Sequence, residues 1–404
     1  MLDPIKIRSF FPLLHRTVNG KPLIYFDNAA TGQKPWVVIK AIEKYYTETN
    51  ANVHRGVHRL SQEATQAYEN ARGILQKHLN AKHAREIIFT RGTTESINVV
   101  AQGFSRLLNP GDEVIISELE HHSNIVPWQW ACENSGATLH VIPINDKGEL
   151  VLDAYKAMLS DKTKVVAVSH ISNTLGTINP IKQIIELAHQ HGAAVLIDGA
   201  QASPHTTIDV QDLDCDFYCT SAHKMYGPTG VGILYGKEDF LQKLPPYQGG
   251  GEMIKEVTFN KTTYADLPFK FEAGTPNIAG GIAFGTAVDF INEIGLSHIA
   301  AYENELLQYA TAQLNKIPNL TIIGQATHKA AVISFVVKGI HPFDIGSILD
   351  KMGIAVRTGH HCTQPLMQRF QIPGTTRVSF AFYNTIEEID YFITALQKTI
   401  SMLL

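Results

Sequence analysis

Between residues 85 and 236, short β-branched runs alternate with amphipathic stretches, and no other feature of the sequence limits the fold as much. The runs predict strands at Glu86–Thr90, Glu113–Ser117, Thr138–Ile142, Lys164–Ser169, Ala194–Asp198, Asp216–Ser221 and Val231–Tyr235. The stretches between them read as helices. In Thr94–Leu108, Ile97, Val100, Phe104 and Leu107 fall on one face at helical spacing. Ile181–His191 is opened by Pro180 and closed by Gly192, which are helix start and stop signals. Strands that alternate with helices predict a mainly parallel sheet covered by helices on both faces, so the fold class is α/β.

After Gly236 the pattern changes. Pro245-Pro246 and Gly249-Gly250-Gly251 mark a loop. Residues 281–315 read as two helices parted near Gly295. Ala331–Val337 and Arg377–Ala381 read as strands, and Phe343–Met352 and Thr385–Met402 as helices. These predict a second, smaller α+β unit. The composition is that of a folded soluble chain, with 44% hydrophobic and 18% charged residues in 404. Lys+Arg is 34 and Asp+Glu 38, so 34 − 38 leaves −4, which favours neither nucleic acid nor an anionic membrane as partner. No uncharged apolar run is long enough for a membrane span. Charges at Asp3, Lys6 and Arg8 argue against a secretory leader in the first residues. Four cysteines are too few for a disulfide framework, so free thiols in a reducing cytoplasm are expected.

Two strand ends carry the most chemistry. Asp198 closes one apolar strand, and Lys224 follows a second one in CDFYCTSAHKMYGPTGVG. In an open α/β sheet both side chains would project into the crevice beyond the strands' carboxyl ends. A lysine amine that forms a Schiff base, with a carboxylate that keeps a pyridine nitrogen protonated, suits pyridoxal 5′-phosphate. The same two residues alone also fit a buried ion pair. Ser221 and His223 flank Lys224, and Arg91-Gly92-Thr93-Thr94 joins a strand to a helix, a ready anion site. Together they predict a phosphate cup. Gly227 to Gly232 has dinucleotide-like glycines, but it leads into a strand, so that fingerprint is rejected.

With these motifs, the chain resembles class V enzymes of the pyridoxal-phosphate fold type I. The resemblance is closest to group II cysteine desulfurases of the SUF iron–sulfur assembly system. It is carried by Asp198-Gly199-Ala200-Gln201, Ser221-Ala222-His223-Lys224 and Arg357-Thr358-Gly359-His360-His361-Cys362. It extends to Tyr25–Ala30, Asn52–Gly56, Glu120–Asn124, Phe271–Asn277 and Tyr383–Thr385. The resemblance implies that Lys224 carries the cofactor, Asp198 pairs with its ring nitrogen and Gln201 with its phenolic oxygen. His122 would stack on the ring and move protons. Thr93, Thr94, Ser221 and His223 would bind phosphate, with Thr275 supplied by the other subunit of a homodimer. Asn173, Arg377 and Arg357 are the substrate-binding candidates, the guanidinium fork of Arg377 suiting a carboxylate. The expected division is a large domain over 20–285 and a small one from 1–19 and 286–404. Ala222 and Thr363-Gln364 depart from the family pattern, where glycine and small or apolar residues are familiar.

His121-His122 and His360-His361 invite a metal reading, but adjacent residues point apart and no carboxylate or cysteine stands at ligand spacing, so no metal is expected. Cys132, Cys215 and Cys219 read as small buried hydrophobes. Cys362, in a polar loop near Arg357, reads as a reachable thiolate. The resulting expectation is a desulfurase that turns L-cysteine into L-alanine and holds the sulfur as a persulfide on Cys362 for a SUF-system acceptor. L-selenocysteine would be a second substrate. Other class V enzymes need no reactive cysteine, which sets this loop against them.

Overall fold

The computed structural model describes residues 2–404. Seven strands form the central sheet: β1 (Ile87–Thr90), β2 (Glu113–Ser117), β3 (Thr138–Ile142), β4 (Thr163–Ser169), β5 (Ala194–Asp198), β6 (Phe217–Ser221) and β7 (Gly232–Gly236). Their spatial order is β1-β7-β6-β5-β4-β2-β3. Pairing is parallel from β6 through to β3, and β7 alone runs antiparallel to both neighbours. The expected mainly parallel sheet is what forms.

Its central strands are mostly apolar because both faces are covered, whereas the edge strand β3 is partly exposed. Ile115, Val166, Val168, Val195 and Ile197 point to one core. Val114, Ile116, Val165, Ala167 and Leu196 point to the other, against helix α2 (Thr93–Ser105) and Trp128. On the first face lie α1 (Arg59–His78), α3 (Ile181–Gln190) and α4 (Ile278–Ile294). Gly92, at φ +146°, turns the chain from β1 into α2, a conformation that a side chain would strain.

The second sheet holds β8 (Leu320–Ile323), β9 (Val332–Val337), β10 (Arg357–Gly359) and β11 (Thr375–Ser379) in the antiparallel order β8-β9-β11-β10. Helices α5 (Leu296–Leu314), α6 (Pro342–Lys351) and α7 (Ile386–Leu403) close its core. Thr385 and Glu388 form a capping box at the start of α7. Residues 24–27, inside the 20–285 stretch, run beside this second sheet. Ile24 and Tyr25 pair in parallel with Ile354 and Ala355, and Asp27 bridges to Ser379. That detour sets Asp27 beside Arg357 and Arg377. Among the described residues, no helix is long and apolar enough to cross a membrane, and no three His, Cys, Asp or Glu converge on a metal position.

Candidate active site

The strand ends of the central sheet face β10 and β11 across a cavity of about 490 Å³. Asp198 is the last residue of β5, and β6 ends at Ser221 before the tight turn Ala222–Lys224. The backbone of Ala222 has negative φ, so its methyl group is accommodated without strain. Lys224 and Asp198 both line the cavity. Burial pulls the Lys224 ammonium down to about 8, against the opposing charge of Asp198. Burial raises the Asp198 carboxyl, and the Lys224 charge works the other way. One Asp198 oxygen accepts the Ala200 N–H at 2.9 Å.

At one end of the cavity, the hydroxyl of Ser221 accepts the Thr93 N–H at 2.8 Å and shares a hydrogen bond with the Thr93 hydroxyl, also 2.8 Å. Thr94 and His223 complete this corner. A Cβ on Gly92 would come within 3.2 Å of the Ser221 hydroxyl, so glycine leaves the cup open. Gln201 sits across the cavity, its amide donating to the Ala29 carbonyl at 2.6 Å.

Of the two neighbouring histidines, His121 lines the cavity and His122, the residue expected there, does not. The reason is local. His121 is an extended residue capping the turn His122–Asn124, its Nδ1 accepting the Ser123 N–H at 3.1 Å, while the His122 ring is turned to the Cys362 loop, where its Nε2 accepts the Gln364 N–H at 3.1 Å. Burial, and then the Lys224 charge, push the His121 imidazole down to about 4, so it is neutral. Glu120 fixes this corner from behind, accepting from Asn124 Nδ2 at 2.7 Å and the Ser169 N–H at 3.0 Å.

Opposite, Arg377 is buried and donates to the Asn173 carbonyl at 2.9 Å and to Asp27 at 3.2 Å. Its Nε has no partner. Burial lowers its pKa to about 10, with Asp27 opposing, and it remains cationic at neutral pH. Arg357 pairs with Asp27 at 2.7 Å and also lines the cavity, as does Asn173. Asp27 thus orients two guanidinium groups, a role the sequence motif Tyr25–Ala30 carried without disclosing it.

Cys362 completes the wall. It is exposed, whereas Cys132, Cys215 and Cys219 are buried. Burial pushes the Cys132 thiol up to about 11 and those of Cys215 and Cys219 higher still. Thr275 lies elsewhere, in a separate cavity of about 400 Å³ with Arg91 and Asn277.

Residues 24–392 match the family model Aminotransferase class-V. The chain belongs to the class V aminotransferase family. It is 52% identical over 397 residues to "Cysteine desulfurase" of Synechococcus elongatus, covering 98% of this chain but 63% of that longer protein. It is 52% identical over 395 residues to "Cysteine desulfurase" of Enterobacter sp., covering 97% of each. The solved cysteine desulfurase of Thermococcus onnurineus superposes with TM-score 0.95 at 38% identity, over 100% of this chain and 99% of that one.

Pyridoxal phosphate, the cofactor of this class V fold, fits the cavity on its own chemistry. The open hydroxyl cup suits a phosphate, the buried carboxylate of Asp198 suits a protonated ring nitrogen, and Lys224 offers an amine that is easily neutral. The unpartnered Arg377 Nε then asks for an acceptor, since a buried donor without one is costly.

Proposed function

We propose that the protein is a cysteine desulfurase of the group II, SUF-associated type, acting as a cytoplasmic homodimer. The observation that carries this reading is an exposed thiol, Cys362, in the same cavity wall as Lys224 and Arg377. Lys224 would attach the cofactor, Asp198 hold its ring nitrogen, Gln201 its phenolic oxygen, and Thr93, Thr94, Ser221 and His223 its phosphate. His121 would stack on the ring. When bound, pyridoxal phosphate supplies an electron sink for carbanion chemistry at the substrate.

The remaining work belongs to the side chains. Arg377 Nε and Asn173 bind the L-cysteine carboxylate and orient its α-carbon. The Lys224 amine, half neutral near pH 8, takes the α-proton, and protons it returns first to the β-carbon and then to the α-carbon complete alanine. The Cys362 thiolate attacks the substrate sulfur. An S–S bond forms as the C–S bond breaks, the bonding pair stays with the carbon fragment, and that fragment leaves as alanine. The persulfide is then passed to an acceptor protein. L-selenocysteine is a second substrate on the same reading, because its weaker C–Se bond needs less from Cys362.

The homodimer is supported by Thr275, which lies outside the cavity of its own chain and is free to serve a second one. Exposed Trp36, Val37, Tyr46 and Val57 offer apolar surface for the contact. The test is to load the purified protein with pyridoxal phosphate, add cysteine, and assay both alanine and protein-bound persulfide. Equal amounts in a single turnover are expected; alanine without any persulfide would overturn the reading.

Asp198→Ala gives a narrower test. A charge-assisted hydrogen bond contributes about 1.5–3 kcal/mol, so cofactor affinity should fall roughly 10- to 100-fold, and alanine formation should fall even at saturating cofactor. Asp198→Glu should recover part of both. Full activity in the alanine variant would mean that another acid holds the ring nitrogen.

A further inference from the structure

The turn that carries Cys362 is built in a conformation that residues with side chains avoid. His361 and Cys362 are successive non-glycine residues at φ +51° and +56°, and such strain persists only where the surroundings over-determine it. Several contacts supply that constraint: Asn173 Nδ2 donates to the His361 carbonyl at 2.9 Å, His361 Nε2 pairs with the Thr375 hydroxyl at 2.8 Å, and His360 Nδ1 accepts the Cys362 N–H at 3.1 Å. Two further residues, His122 and Thr363, act on the segment just around and after the thiol. The His122 N–H donates to the Cys362 carbonyl at 2.8 Å, and His122 Nε2 accepts the Gln364 N–H at 3.1 Å, so one residue brackets the thiol from both sides. Thr363 is fully buried. Its hydroxyl donates to the His360 carbonyl and accepts from Thr174, each at 2.9 Å.

We infer that His122 and Thr363 are positioning residues that hold the strained Cys362 turn with its thiol in the Lys224 cavity, and that His122 does so as a neutral imidazole whose Nε2 accepts the Gln364 amide. This rests on the desulfurase reading and deepens it. The geometry sets the tautomer, since an Nε2 that accepts leaves the proton on Nδ1. Protonation would turn Nε2 into a donor facing a donor and release that side of the turn. The titratable groups around the ring are His360 and His121, with centroids at 5.7 and 6.3 Å, and Cys362 in the turn itself. Burial, then the His360 charge, hold the His122 pKa below the usual imidazole value, which keeps the acceptor form over a wider range. Thr363, one of the two departures from the family pattern, turns inward to Thr174 and is withdrawn from any surface that an acceptor protein would meet. The exposed side chain at that edge is Gln364.

Four variants of the cofactor-loaded enzyme test this. In His122→Gln the side-chain oxygen replaces Nε2 as an acceptor that does not titrate, whereas His122→Ala removes it. Thr363→Val keeps the shape and deletes the hydroxyl, and Thr363→Ser restores it. His122→Ala and Thr363→Val should lower kcat for alanine formation on the order of 10- to 100-fold, as expected for a displaced nucleophile, with KM for cysteine changed less than about twofold. The Gln364 amide should lose protection from hydrogen exchange in His122→Ala. His122→Gln and Thr363→Ser should recover most of the loss. On lowering the pH from about 8 to about 5, through the imidazole range, Gln364 protection should fall in the wild type and persist in His122→Gln. Wild-type kcat and protection in His122→Ala would overturn the inference, as would equal acid sensitivity of wild type and His122→Gln. Should His122→Ala fail to fold, that last comparison still decides. The exchange readout needs no turnover, so a wild type that makes no alanine would overturn the desulfurase reading and leave this inference to be judged separately.

Discussion

Lys224→Ala should make essentially no alanine from cysteine while still binding pyridoxal phosphate. The first half follows from the two duties of one amine. On the proposed reading it is both the attachment point for the cofactor and the base, an amine that burial brings down to about 8. A positioned acid–base group alone is worth roughly 10²–10⁴-fold in rate, so losing it together with the attachment should exceed that range. The second half follows because the other contacts remain. Asp198, the Ser221–Thr93 cup and Gln201 are held by their own strands and hydrogen bonds, none of which passes through the Lys224 side chain. Ultrafiltration should recover cofactor with the variant, and its absorption should be that of free pyridoxal phosphate. Arginine, which also carries a charge but cannot give up its proton, should not rescue the reaction in Lys224→Arg. A Lys224→Ala enzyme that forms alanine at the wild-type rate would show that another amine does this work.

Much of this site is legible in the sequence. The strand ends were legible because a fully buried parallel sheet writes continuous apolar runs, and Asp198 interrupts one of them at its last position. Lys224 and Ser221 were legible for the same reason at β6. What periodicity cannot give is the direction of a side chain in an irregular turn. His121 and His122 are identical letters in the same motif, and only the cap geometry at Ser123 decides which enters the cavity. Asp27 was out of reach for a different reason. Its partners Arg357 and Arg377 lie 330 and 350 positions away, and the contact depends on residues 24–27 pairing with the second sheet. Long-range register of that kind leaves no local pattern. Thr363 read as a departure from a family pattern, and its inward hydrogen bond to Thr174 could be seen only once the turn was built.

Cys362→Ala should separate the two halves of the reaction. In the proposed mechanism, binding of cysteine and removal of its α-proton call on Arg377, Asn173 and Lys224, and none of these loses a hydrogen bond when the thiol is deleted. Breaking the C–S bond is different, because the departing sulfur must be taken by a nucleophile, and no other cysteine in the chain can reach it. Cys132, Cys215 and Cys219 are buried, and burial raises all three thiols, which disfavours the thiolate. Alanine formation from cysteine should therefore fall at least roughly 10³-fold, a loss of the size seen when a nucleophile is removed from a catalytic set. Cysteine should still bind, with its exchangeable α-proton washing out into deuterated water. Selenocysteine should retain far more of its rate, since selenium departs with less assistance. Replacing Cys132, Cys215 or Cys219 by alanine should cost about 1 kcal/mol of stability and leave turnover intact. Mass spectrometry of the wild type after one turnover should place the added sulfur on Cys362. A persulfide on any of the other three, or normal cysteine turnover by Cys362→Ala, would remove the thiol from the mechanism and return the chain to the class V enzymes that need none.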